Sequence, residues 1–154
     1  MAIKFNPTYV ETLAKAHAPG ETVLGTSAGV HKPFWALGIP FFFKTYLLIA
    51  TQSRLLVAEH RRGLLLDRLE SVERIAWSEI TTAKLSGLFL KKKLKLAFSH
   101  GRAALAITLP GFFGPIPKPA QGAKALVTTW EQRRALPSTP APAMHHPEAY
   151  VRAV

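Results

Sequence analysis

The chain contains no cysteine, which excludes disulfides, thiolate zinc sites and a cysteine nucleophile together. Acidic residues are scarce as well. Asp67 is the only aspartate, and the 51 residues from Ile80 to Trp130 carry eight Lys or Arg and no Asp or Glu. His17, His31, His60 and His100 are scattered along the chain, and the adjacent His145 and His146 with Glu148 lack the spacing of a preorganised metal site. No glycine-rich loop of the phosphate-cradling kind is present. Acid–base, nucleophilic and metal chemistry need convergent carboxylates, histidines or a thiol. The expectation is therefore a non-catalytic protein without cofactor or metal.

Long uninterrupted apolar runs are also missing. Pro33 to Ala50, PFWALGIPFFFKTYLLIA, has the length of a short spanning helix but holds Pro33, Gly38, Pro40 and a central Lys44. A charge at mid-bilayer costs about 3 kcal/mol, so a transmembrane span is rejected. The opening MAIKFNPTYVE lacks the apolar core of a signal peptide. These features, with the absent cysteine, place the expected location in the cytoplasm, with peripheral attachment at the inner membrane face left open.

What is present describes a globular protein. The 154 residues are 48% hydrophobic and 19% charged, enough for one well-packed core and too few for two ordinary domains. The net charge of +11 lies in the body, because the last nineteen residues hold only Glu148 and Arg152, which cancel. Such a surface attracts nucleic acid, anionic lipid or an acidic protein; the plainer alternative is that its lysines only keep it soluble.

Asn6-Pro7 is a helix start, and Tyr9, Val10, Leu13 and Ala14 recur at helical spacing until Pro19-Gly20. Residues 1–20 thus form an N-terminal helical segment packed on the domain. Strand-like periods follow over Thr22 to His31, Thr45 to Thr51 and Arg54 to His60, the last two around a tight turn at Gln52-Ser53. Leu64 to Trp77 reads as a fourth strand with a bulge near Val72, and Ile80 to Phe89 as a fifth. From Lys93 to Phe98, Leu94, Leu96 and Phe98 alternate with Lys93, Lys95 and Ala97, so these lysines point to solvent. After the Ser99-His100-Gly101-Arg102 turn, Ala103, Leu105, Ile107 and Leu109 line the buried face of a seventh strand. A broken connection with Phe112, Phe113 and Ile116 leads into a helix over Ala120 to Ala135, whose stripe of Ala123, Leu126, Val127 and Trp130 needs an apolar surface to cover. Residues 136–154 are rich in Pro, Ala, Ser and Thr and read as a flexible tail.

Seven strands closed by one amphipathic helix with a buried Trp resemble the pleckstrin-homology superfold, a bent barrel plugged by its C-terminal helix. The run TYLLIATQSRLLVAEH, with its Thr-x-x-Arg-Leu turn, looks like that of bacterial PH-like and GRAM-like domains, as do Pro19-Gly20-Glu21 and Ile75-Ala76-Trp77-Ser78-Glu79-Ile80. The resemblance covers about residues 19 to 135 and implies a mainly β, PH-like domain over residues 21–135. Physically, Thr51 suits a bond from its hydroxyl to the local backbone while Arg54 spans nearby carbonyls.

Two groups of residues stand out as candidate binding surfaces. Lys91, Lys92, Lys93 and Lys95, with Lys32 and Lys44, form the set expected to meet anionic lipid or an acidic partner; the alternative is a solvated edge that blocks aggregation. PH domains usually take inositide headgroups with basic residues near the first loop, where this chain holds only Lys32 and Lys44. That loop instead carries Phe34, Trp35, Leu37, Ile39, Phe41, Phe42 and Phe43, a patch that calls for cover by the core, a second copy of the chain or lipid. The resemblance implies an interaction or scaffolding module that self-associates through this loop, with peripheral binding of anionic phospholipid as the alternative. Nucleic-acid binding ranks below both, because Phe89 and Phe98 share the inward phase and offer no stacking platform.

Overall fold

The computed structural model describes residues 5–32, 43–62, 67–88, 91–111 and 116–136. The expected aromatic loop residues Phe34, Trp35, Leu37, Ile39, Phe41 and Phe42 lie outside these, as do Phe89, Phe112, Phe113 and the tail beyond Leu136.

The chain begins with helix α1 (Pro7–His17), where the Asn6 side chain accepts from the Tyr9 N–H at 2.7 Å and Pro7 occupies the first turn. Seven strands follow: β1 (Val23–His31), β2 (Lys44–Thr51), β3 (Arg54–Arg62), β4 (Asp67–Ala76), β5 (Ile80–Ser86), β6 (Lys91–Phe98) and β7 (Leu105–Pro110). A 3-10 turn at Trp77–Glu79 links β4 to β5, and helix α2 (Pro119–Ala135) ends the described chain. Neither helix is long and apolar enough to cross a membrane.

All seven strands form one antiparallel sheet in the order β4-β3-β2-β1-β7-β6-β5. The sheet curls but is not closed, and β4 and β5 are its two edges. Across the gap, Arg102 in the β6–β7 turn reaches Glu73 of β4 at 2.7 Å; the Ser99 N–H extends the β5–β6 ladder by donating to the Glu79 carbonyl at 2.8 Å. Both edges carry a bulge. The register against β3 skips Glu70, two residues from the expected position near Val72, and the register against β6 skips Thr81. Bulges and the exposed Arg68, Glu70, Glu73 and Arg74 of β4 work against pairing with another sheet edge.

The sheet buries both faces of its middle. On the concave side, Leu48 and Ala50 of β2, Leu55 and Val57 of β3, Leu94 and Leu96 of β6 and Ile107 and Leu109 of β7 meet Ala123, Leu126 and Trp130 of α2. On the convex side, Leu47, Ile49, Leu56 and Ala58 pack under Phe5, Leu13, Ala14 and Ile116. Burial on both faces explains why β2 and β3 read as apolar runs rather than as alternation. Each fully buried Leu contributes about 1.5–3 kcal/mol. The helix α1 is therefore an integral cover, and the Tyr9 hydroxyl lies 2.8 Å from Nε2 of the buried His60.

Helix α2 rests directly on β1. A Cβ at Gly122 would lie 1.7 Å from the Thr26 carbonyl oxygen, so only glycine permits this approach. The Ser27 hydroxyl donates to the Pro119 carbonyl at 2.8 Å, and the Trp130 indole N–H donates to the Ile80 carbonyl at 2.8 Å.

The β2–β3 turn is stapled by Glu21. Thr51 donates to its carboxylate at 2.6 Å, and Ser53 donates through both hydroxyl and backbone N–H. Arg54 Nε lies 2.9 Å from the same carboxylate, so Arg54 pairs with Glu21 rather than spanning carbonyls as the sequence suggested. The Thr51 hydroxyl also lies 2.8 Å from the Arg54 carbonyl oxygen and 3.3 Å from the Arg54 N–H, in keeping with a local backbone bond. The bond from Thr51 lowers the Glu21 pKa most, and Ser53 and Arg54 add to the effect, bringing it to about 2 despite partial desolvation.

Candidate functional site

The lysine-bearing strand β6 keeps the alternation its sequence dictates. Leu94 and Leu96 are buried, while Lys91, Lys93 and Lys95 are exposed on the convex face. Residues two apart on one strand are separated by about 7 Å, so these three cations form an evenly spaced row. Strand β5 adds a fourth. Lys84 is the direct cross-strand partner of Lys95, and both are exposed. Like charges placed opposite each other on a sheet are destabilising; the fold accepts that cost here.

The neighbours of the row are small and neutral. Lys93 stands between Ser86 and Thr108, and Lys95 has Ala106 on its other side. No acid interrupts them, because residues 80–130 contain none. The ion pairs found among the described residues are Lys44–Glu59, Arg54–Glu21, Arg61–Glu70 and Arg102–Glu73. Every carboxylate in them comes from β3, β4 or the segment before β1. Charge is thus segregated: mixed and paired on the β2–β4 side, purely cationic on the convex face of β5–β7.

The remaining members of the expected lysine set are placed elsewhere. Lys92 pairs with Leu109 in register and is half-buried, out of phase with the row. Lys32 is exposed, with its ammonium 5.2 Å from the centroid of the Phe43 ring. Lys44 is ion-paired with Glu59 and opposite His31, at the concave mouth of the sheet. There the Tyr46 hydroxyl donates to Glu59 at 3.1 Å, and the His31 ring meets Tyr46 edge-on. Burial first, and the Glu59 charge second, push the Tyr46 pKa up, so this hydroxyl remains a donor. The mouth is a self-satisfied polar cluster, and Lys44 does not join the lysine row.

No aromatic side chain stands in the outward phase of the described β5–β7 residues. Phe98 instead packs against the concave core, with the Arg102 guanidinium 5.9 Å from its ring. Two residues of this region escaped sequence reasoning. Lys84 lay in a strand whose partner register was unknown, although its own alternation with the buried Ala83 marks it as outward. Leu88, in the turn between β5 and β6, is 82% exposed, the most exposed large apolar residue described. Comparison of the chain with protein-family models, curated proteins and solved structures gives no match.

Proposed function

We propose that the protein is a non-catalytic interaction module of PH-like type that docks onto an acidic partner through the convex face of β5–β7. The observation that carries this reading is the row of Lys91, Lys93 and Lys95 with Lys84 set directly opposite Lys95, in a wing without a single carboxylate. Lysines that served only solubility would be interspersed with acids, as the charges of β3 and β4 are. The strand order and the C-terminal helix over the concave core support the PH-like reading. Self-association by edge pairing is opposed by the two bulged edges, and a cationic face without aromatic platforms among its described residues favours a broad anionic surface over single-stranded nucleic acid. The same reading puts the protein in the cytoplasm, peripheral at the inner membrane face when bound.

Charge reversal at matched net charge tests it. Each lysine beside an anionic surface is worth about 1 kcal/mol, so Lys93→Glu with Lys95→Glu weakens binding to polyglutamate or anionic vesicles by at least about 30-fold. The control pair Lys15→Glu with Lys124→Glu, exposed on α1 and α2, changes net charge equally and leaves most of the binding. Equal losses from both pairs refute a localised docking face.

A further inference from the structure

We infer that the acidic partner is a nucleic-acid duplex and that the lysine row of β6 tracks the phosphates of one of its strands. This inference rests on the docking reading above and names the partner's chemistry.

The spacing of the cations fits a phosphodiester backbone. Lys91, Lys93 and Lys95 share one phase of β6, so their stems are set about 7 Å apart along about 14 Å of strand. Strand β6 is paired on both sides, to β5 and to β7, which keeps the row straight and stiff. Phosphates along one strand of a duplex rise about 3.4 Å per nucleotide, and the winding of the helix adds a sideways step of about 6 Å, so neighbours lie about 7 Å apart. Three lysines therefore meet three successive phosphates. Lys84 stands opposite Lys95, and a phosphate seated between them relieves the repulsion that the empty face carries.

The composition of the face selects among acidic partners. Its other outward residues include Thr82, Ala106 and Thr108, small side chains among which the two hydroxyls suit phosphate oxygens. Interfaces between proteins gather aromatic and other large apolar groups at a dry centre and are poor in lysine, whereas interfaces with nucleic acid are polar and strongly positive. The described residues of this face have the second composition. A single strand has to be held by stacking; in a duplex the bases stack on one another and hold the phosphates in a fixed line. An anionic bilayer is the rival surface, but its headgroups diffuse in the plane and offer no fixed spacing for the row to meet. Contacts from lysine to phosphate position a duplex without reading its bases, so binding is independent of sequence.

Salt dependence tests the contact. The full chain is titrated with a DNA duplex and an RNA duplex of about 20 base pairs, where three or four phosphate contacts give log Kobs against log salt a slope of about −3. Binding of either duplex carries the inference, and the tighter of the two names the source. Lys93→Ala brings the slope nearer zero by about 1 and weakens binding about fivefold near 0.15 M salt. Lys124→Ala, exposed on α2, leaves both unchanged. Lys93 is exposed, so its variant unfolds at the wild-type temperature and the loss is one of contact. A slope near zero, a slope that Lys93→Ala does not move, or a single strand bound as tightly as the duplex overturns the phosphate row. Binding to polyglutamate or phosphatidylserine vesicles without binding to either duplex overturns nucleic acid as the partner and leaves the docking face standing. Equal losses from Lys93→Ala and Lys124→Ala, or binding to none of these polyanions, overturn the docking face itself.

Discussion

Gly122→Ala opposes two effects of known size. In an isolated helix the change is favourable, because alanine exceeds glycine in helix propensity by about 0.8–1.0 kcal/mol. In this fold the new Cβ would lie 1.7 Å from the Thr26 oxygen and 2.4 Å from the Thr26 carbonyl carbon. Both are backbone atoms of a central strand, which no rotamer change can move. Relief to the 3.0 Å limit requires α2 to retreat from β1 by about 1.3 Å. Overpacking of this kind costs about 1–3 kcal/mol. The retreat also stretches the Ser27–Pro119 and Trp130–Ile80 hydrogen bonds, each worth about 1 kcal/mol. The clash wins, and Gly122→Ala is destabilised by about 2–4 kcal/mol. Urea unfolding followed by Trp fluorescence and far-UV circular dichroism measures this, with Thr128→Ala on the exposed face of α2 as the propensity control. The control is expected to gain a few tenths of a kcal/mol. If Gly122→Ala matched or exceeded the wild type, α2 would not lie against β1 and the concave core would need another lid.

The Glu21 staple gives the fold an acid limit. Its carboxyl falls from an ordinary 4.5 to about 2 on folding, so its contribution is complete above pH 4.5 and is lost as pH falls toward 2. Glu21→Gln is expected to lower stability at neutral pH by about 2 kcal/mol, discounted for partial solvent access, and to flatten the difference from wild type below pH 3; a difference independent of pH refutes the staple. Lys84→Glu replaces a like-charged cross-strand pair with an opposite one and should raise stability by about 0.2–1 kcal/mol while weakening anionic binding. Reduced stability in urea, or binding unchanged, would show that the opposition of Lys84 and Lys95 has no role.

Much of the local structure was legible in the residues themselves. Asn6-Pro7 starts α1 because a side-chain acceptor and a proline suit the orphan N–H groups of a first turn. The outward phase of Lys93 and Lys95 and the stripe of Ala123, Leu126 and Trp130 follow from the periods of strand and helix. The Thr51 hydroxyl, while donating to Glu21, accepts from the Arg54 N–H of its own turn at 3.3 Å. The mixed record lies in the lysine set. Lys91, Lys93 and Lys95 form one row, Lys92 falls out of phase, and Lys44 is taken up by Glu59.

Periodicity along a strand reports which face a residue takes, and nothing more. It settled the fold class and the outward lysines, because those depend on one element at a time. Only the tertiary structure decided that the sheet stays open between β4 and β5, that α1 buries the second face of β2 and β3, that Glu21 and not a carbonyl receives Arg54, and that Lys84 faces Lys95. Each of these joins residues distant along the chain, and register between strands is fixed by the packing of the whole core rather than by any local preference.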